Sequence, residues 1–498
     1  MHSLRDGFAN FWLKNPALLS ALHFLIGTAL AISPNWIYPL ATTLLVLACR
    51  RDKILLSLFC FILGFCLSFY RIPHTDVTGN KIEGKGSFSI SSLKIYESPF
   101  QRSFVYKGTL KEFTSENHHL YDLPCQIYLP LQNNHPKADC DYTLTGTLEQ
   151  KSPFLFIFKP TKKKAWDPIP QSFSFAEIRF QAKKKLHAYL QSHIKDRSTS
   201  TFLNALATGD IDERILSLEF SRLGLQHILA ISGFHFAIIA LFLGGLLRLF
   251  FSYRISSCIL LLLLAIYWFF LGNSPSVQRA WIAIGLVLIG KLFHLRTTAL
   301  NALGVAMWIE ILGDPLVIAN IGFQLSFLCT LAILMISPMA LSACNFPLPK
   351  RPLKSVISMS TLDQHGYILS SLVKSSLAIN LAVHCVSLPV LLFLFHRFPL
   401  MSLAYNFFFP FWVSISLVLL YSALLMTLIC PPLGHLIHIL NEFWTKSALQ
   451  VSSNPPAILD FVIRTKELPL FSVILFLTLL FIGAIVWEEK KKTRSLFV

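Results

Sequence analysis

Residues 54–70 read ILLSLFCFILGFCLSFY, an uncharged run flanked by Arg50, Arg51 and Lys53 on one side and Arg71 on the other. A helix needs about 20 apolar residues to cross the hydrocarbon of a bilayer, and basic residues gather on the cytoplasmic side of such crossings. The segment therefore predicts a membrane span that begins inside and ends outside. Comparable runs recur at 16–32, 36–49, 227–251, 257–272, 280–293, 318–337, 378–395, 411–430 and 468–487. Composition agrees: 54% of the 498 residues are hydrophobic and 14% charged, where a soluble chain carries about 25% charged residues. The fold class read from the sequence is a polytopic α-helical membrane protein of about ten to twelve spans.

The start of the chain imitates a secretory signal, with Arg5 and Lys14 ahead of an apolar stretch that ends in Ala29-Leu30-Ala31. A second apolar run follows at once and stops at Arg50, so the pair reads as a retained hairpin with a basic cytoplasmic turn. Residues 1–70 are thus an N-terminal membrane unit, and residues 71–221 fall outside. The tail Lys490, Lys491, Lys492 and Arg494 points back to the cytoplasm.

The outer segment changes character. Stretches 87–96, 103–113, 126–131, 142–148 and 154–158 are rich in alternating, β-branched and aromatic residues, separated by Gly, Pro, Asn and Asp. Five short strands suit a small barrel, and the oligonucleotide-binding (OB) barrel is a common five-stranded form. Residues 71–165 are read as an inserted extracytoplasmic OB-like β domain. Its aromatics Phe104, Tyr106, Tyr128 and Tyr142 are candidates for base stacking or for the core. Cys125 and Cys140 are candidates for a disulfide if the insert lies in an oxidising compartment. Residues 166–221 form a basic amphipathic segment, with Arg179, Lys183, Lys184 and Lys185 beside an apolar stripe of Phe175, Ile178, Ala182, Leu186 and Tyr189. The net charge of +17 reflects orientation in the short loops and suits a polyanionic partner in the insert.

Residues 222–498 are the remaining membrane domain. Polar side chains in hydrocarbon are costly, by roughly 2.5–3.5 kcal/mol for a central charge, and so mark functional positions or interhelical seams. Five groups qualify. Residues 224–235 read GLQHILAISGFH and bring His227, Ser232 and His235 to the outer end of a span. Residues 272–280 read GNSPSVQRA, in which Ser274 suits an N-cap, Pro275 a first helical residue and Arg279 an anion-attracting outer face. Asn320 and Gln324 lie one turn apart after Asp314-Pro315. Ser376, Asn380, His384 and Ser387 form one polar stripe, the best pore-lining candidate. Asn406, with Tyr405 and Pro410, interrupts the run from 399 to 412, as a loop or a re-entrant segment would.

No catalytic or metal-ligating constellation stands out. Gly285 to Lys291 matches G-x-x-x-x-G-K, but Leu292 replaces the magnesium-binding hydroxyl and the run is a membrane helix. No cofactor is called for.

The segment 224–235 resembles the G-L-x-H-[LI]-L-A-I-S-G-x-H signature of the ComEC family of competence DNA-uptake channels. Leu206 to Asp210 is similar to that family's L-x-x-G-[DE] element, Ser276 to Ala280 to S-x-x-R-A, and Gly322 to Phe327 to G-F-Q-L-S-F. Ser387-Leu388-Pro389, Asn406 and Pro410 follow in order. The resemblance implies a cell inner-membrane channel that passes single-stranded DNA into the cytoplasm in natural transformation, with DNA-receptor and cytoplasmic helicase or ATPase partners. Many members also carry a metallo-β-lactamase-like domain. This sequence ends at Val498 after its last span without one, so a separate nuclease is expected to prepare the strand and the chain itself is not expected to be an enzyme. Two other readings remain open from the residues: a transporter of a small anionic solute using Arg279, and a membrane hydrolase built on Ser232, His227 and His235.

Overall fold

The computed structural model describes all residues except 1, 48–52, 73–80, 98–101, 117, 132–134, 153, 162–165, 212–213, 273, 296–297, 346–350, 457–460 and 497–498. The basic tract Lys162 to Lys164, the turn at Arg50 and Arg51, and Asn273 lie outside the described residues.

Four helices come first: α1 (His2–Lys14), α2 (Pro16–Ile32), α3 (Ile37–Leu47) and α4 (Ile54–Arg71). Pro16 stops α1, because its ring removes a backbone donor and starts a new helix readily, and α1 and α2 meet at 93°. The β domain follows with β1 (Ile82–Glu97), β2 (Arg102–Thr114), β3 (His119–Pro130), β4 (Tyr142–Ser152), β5 (Leu155–Pro160) and the two-residue β6 (Asp167–Pro168). The sheet runs β1-β2-β3-β5-β4-β6, and β1 pairs with β4 as well as with β2. All pairings are antiparallel except β3 with β5. The alternation seen in the sequence becomes an inner face of Phe88, Tyr106, Leu110, Phe113, Ile127 and Phe158, all buried. Phe104 and Tyr142 join that core, whereas Tyr128 stays exposed.

The rest is helical: α5 (Ala176–His193), α6 (Arg197–Thr208), α7 (Arg214–Arg222), α8 (Gln226–Leu229), α9 (Gly233–Phe250), α10 (Tyr253–Leu271), α11 (Pro275–Leu292), α12 (Ala299–Gly313), a 3₁₀ turn at Pro315–Ala319, α13 (Ile321–Met335), α14 (Ser337–Cys344), α15 (Leu353–Ile357), α16 (Thr361–Phe395), α17 (Met401–Ile429), α18 (Pro431–Ser453) and α19 (Leu470–Leu496). Two short strands, β7 (Arg397–Pro399) and β8 (Val462–Arg464), pair between α16 and α19.

Six helices among the described residues are long and apolar enough to cross a membrane, and eight if two bent pairs each make one span. That is fewer than the about ten to twelve anticipated from hydropathy. One of the expected spans, α3, has only 11 residues. The run from Ile318 breaks into the 3₁₀ turn, α13 and α14, with a 44° bend between the last two. Many Leu, Ile and Phe side chains of these helices are exposed, among them Leu55, Phe59, Ile62, Leu241 and Leu262. A water-soluble bundle would bury them; a bilayer solvates them.

Two expectations fail on covalent or local geometry. Cys125 and Cys140 are both free thiols. Cys125 points into the β core, where burial pushes its thiol up to about 12, and Cys140 sits half-buried on the connection to β4. The stretch from Pro399 to Trp412 is neither a loop nor a re-entrant break: α17 runs unbroken through Asn406 and carries Pro410 inside it.

Candidate functional site at the head of the helical bundle

The segment from Gly224 to His235 is the hub. Gly224 has φ +72°, a left-handed conformation that glycine adopts without cost, and an added Cβ would stand 2.7 Å from Ser402 Cβ and 2.9 Å from Pro399 Cγ. The chain therefore turns sharply against the start of α17 before entering α8. It leaves α8 through Ser232, which caps α9. The Ser232 backbone N–H donates to His235 Nδ1 at 3.1 Å, and the Ser232 hydroxyl lies 2.9 Å from the same nitrogen. The pair is a capping box with His in place of the usual Glu or Gln. His235 Nε2 is buried without a hydrogen-bond partner. Among the described residues no carboxylate bonds to this histidine, so nothing orients it as a base for Ser232.

The other motif segments close around this hub. Ser276 donates its hydroxyl to the Ile231 carbonyl at 2.9 Å, joining α11 to the hub. Ser274 occupies the N-cap position of α11 and Pro275 its first turn, as the spacing predicted, though the Ser274 hydroxyl faces that of Ser276 rather than a backbone amide. Gly233 leaves space for the Arg279 guanidinium, whose Nη2 would lie 2.7 Å from a Cβ there. Arg279 does not present an outward anion site. Its Nε donates to Ser326 Oγ at 2.9 Å, and the guanidinium sits 5.9 Å from the centre of the Phe327 ring. Its electrostatic partner is Glu310 of α12, not Asp314, which instead caps the 3₁₀ turn through Leu316 N. Arg279 is half-buried here, held between α11 and α13 by these contacts.

Asn320 and Gln324 lie one turn apart at the start of α13, joined by the bond from Gln324 N to the Asn320 carbonyl at 3.1 Å. Asn320 is the N-cap of α13, accepting from Gly322 N at 2.7 Å, and Gln324 donates back to the Ile318 carbonyl at 2.9 Å. Both serve the turn that redirects the chain into α13.

The polar stripe of α16 divides. Ser376 is exposed. Asn380 donates to the Leu403 carbonyl of α17 at 2.8 Å, and His384 Nδ1 lies 2.8 Å from the Asn380 carbonyl. Ser402 Oγ lies 3.5 Å from His384 Nε2. His384 and Ser387 are buried. The centre of the stripe is thus a hydrogen-bonded seam between α16 and α17, a common use of polar residues in membrane bundles. Asn406 lies on α17 with its Oδ1 buried and unpartnered. His227, His235 and His384 sit within electrostatic reach of one another in sequence. Of the three only His227 is exposed, at the surface of the hub.

Two residues escaped the sequence reading. Glu310 is 3% exposed, and neither carboxylate oxygen has a hydrogen-bond partner. The signal was available, since it is the lone acid in the apolar run of α12. His438 of α18 is fully buried beside Tyr189 of α5, 3.0 Å from its hydroxyl. Nothing local in the sequence announces that contact.

The competence-protein family profile matches residues 208–490. The chain belongs to that family. The match begins within the Leu206 to Asp210 segment and covers the hub and the segments of α11 and α13 that close around it. A curated relative, ComE operon protein 3 of Bacillus subtilis (strain 168), is 28% identical over 241 residues. That alignment takes in 48% of this chain and 27% of the relative, so the shared region is about a quarter of the relative's length. No solved structure matches the chain.

Proposed function

We propose that this competence-family protein acts in DNA uptake as an inner-membrane channel conducting one DNA strand into the cytoplasm. The observation that carries the reading is the convergence of the family's motif segments, far apart in sequence, on one hub at the head of a multi-pass helical bundle. Residues 71–165 act in this reading as an extracytoplasmic OB-like module. The strand order 1-2-3-5-4, returning to β1 through its pairing with β4, and the parallel β3–β5 pair support it. OB modules hold single strands in a basic groove with aromatic side chains for the bases. Residues 166–221 link that module to the membrane, residues 1–70 and 222–498 form the bundle, and His227 faces the entrance. A DNA receptor, a cytoplasmic motor and a nuclease that removes the second strand complete the pathway.

The capped Ser232 and His235 favour a structural role over hydrolysis, and the engagement of Arg279 with Ser326 and Phe327 argues against its serving as a small-anion site. Deleting the gene in a transformable host should leave labelled DNA able to enter the envelope and unable to reach the cytoplasm, with delivery restored by the intact gene. Unchanged cytoplasmic delivery in the deletion strain refutes the proposal.

A further inference from the structure

A cavity of about 200 Å³ lies where β1 and β2 of the sheet, α5, and the connections before α7, α9 and α11 meet. Four cations line it: Lys94 and Lys107 from the sheet, Arg179 and Lys183 from α5. One carboxylate meets them. Asp210, at the end of the Leu206 to Asp210 motif, lies 2.5 Å from Lys94 Nζ and 3.0 Å from Lys183 Nζ. Among the described residues no carboxylate lies within 4 Å of Lys107 or Arg179. The cluster therefore keeps an excess of positive charge in a partly desolvated place, with Lys183 only 11% exposed. Burial, and after it the neighbouring Lys94, lowers the affinity of Lys107 for its proton, with Asp210 acting the other way.

The sheet is built to deliver these groups. A bulge leaves Ser91 without a partner on β2, so the residues after it change face. Leu93 turns inward, and Ser92, Lys94 and Tyr96 turn outward. Arg179 bonds the carbonyl of the bulged Ser91, which fixes α5 over this face. Tyr96 and Tyr128 are exposed by 56% and 39% on the same outer surface. Tyr128 stands opposite Val105, which itself pairs with Lys94.

We propose that this cavity is a phosphodiester subsite for single-stranded nucleic acid, in which a backbone phosphate displaces the Asp210 carboxylate and is held by Lys94, Lys107, Arg179 and Lys183 while Tyr96 and Tyr128 stack the adjoining bases. The proposal rests on the reading of the chain as a DNA conductor. The volume admits a phosphate group with a few waters, each of about 30 Å³. The exposed tyrosines favour a nucleic acid over a lipid headgroup, because they supply flat faces that bases use and acyl chains do not need. Asp210 follows α6 in the linking segment and Lys94 lies in the sheet, so the exchange also frees the sheet from its ionic tie to that segment as the strand arrives.

The test is fluorescence anisotropy of a labelled oligo-dT titrated with the purified full chain in detergent, across a salt series. Each lost phosphate contact on a single strand reduces the salt slope by about 0.7, which makes the deficit about fivefold larger at 0.1 M than at 1 M salt. The Lys107→Gln/Arg179→Gln double variant should show that loss, and Asp210→Asn should bind several-fold more tightly because two cations are released. Tyr96→Ala/Tyr128→Ala should weaken binding with the slope unchanged. Thermal melting of each variant checks that it is folded, and the Lys107/Arg179 pair breaks no ion pair within the described residues. Native affinity and slope in the Lys107/Arg179 and Asp210 variants overturn the subsite. So does competition by anionic-lipid nanodiscs that is lost in the Lys107/Arg179 variant while both tyrosines prove dispensable, which would make it a headgroup site. If deletion abolishes DNA delivery and the variants bind normally, the subsite fails and the channel reading stands. If the native chain binds no oligonucleotide and deletion leaves delivery intact, both fail.

Discussion

Replacing Gly224 with Ala places a methyl group where the structure has two separate objections to it. The backbone at φ +72° is costly for any residue with a Cβ, and holding it there costs about 1–3 kcal/mol. The methyl would also stand 2.7 Å from Ser402 Cβ and 2.9 Å from Pro399 Cγ, an overpacking that costs about 1–3 kcal/mol more. Gly224→Ala should therefore destabilise the chain by about 2–6 kcal/mol in all. The two parts separate experimentally. Ser402→Gly removes the Cβ that the methyl meets and leaves the backbone as it was, so the double variant should recover part of the loss and never all of it. Thermal unfolding of the detergent-solubilised protein, followed by tryptophan fluorescence, should rank native above double variant above Gly224→Ala, with DNA delivery falling in the same order. A Gly224→Ala protein as stable as the native one refutes the strained turn. Full recovery in the double variant refutes the backbone part, and no recovery refutes the packing part.

Arg279→Leu leaves Glu310 buried without its opposite charge, so Glu310→Gln should rescue it, with a coupling of about 0.5–3 kcal/mol in a double-mutant thermal cycle; additive effects would show the two are independent. Arg279→Lys should not substitute for the native residue, because a lysine has no Nε–H fork for Ser326 and no planar face for Phe327, and full stability in that variant would contradict the geometry. Cys125 and Cys140 should run as free thiols on non-reducing gels, with maleimide labelling Cys140 faster than the buried Cys125; equal rates would mean the β core is open. Burial acts to raise the Asp210 carboxyl, but Lys94 and Lys183 together hold it below its ordinary value. A depressed folded-state value contributes stability that is present above the unfolded value of about 3.9 and is lost as pH falls through the folded one. The tie between sheet and linking segment should thus hold at neutral pH and release only in strong acid, as hydrogen exchange of β1 and α5 against pH would report; release near pH 6 would exclude Asp210 as its anchor.

The sequence by itself determined what depends on near neighbours. An uncharged run such as 54–70 is a membrane helix wherever it sits in the chain, because its length and lack of charge meet the bilayer directly. All five stretches became strands, though β1 and β3 begin earlier than their stretches suggested, because alternation and turn residues act over short spans. The motif at 224–235 was visible as a string. Which polar group meets which was not. Arg279 was read as facing outward and is half-buried against Ser326, Asn320 and Gln324 were read as polar residues one turn apart and are a cap and its brace, and the α16 stripe turned out to be half seam. Asp210, Lys94 and Lys183 come from three elements separated by long stretches of chain, and only packing brings them within 3.0 Å. Periodicity is a property of the local backbone, whereas the partner of a charge is chosen by how whole elements dock, and no local pattern encodes that choice.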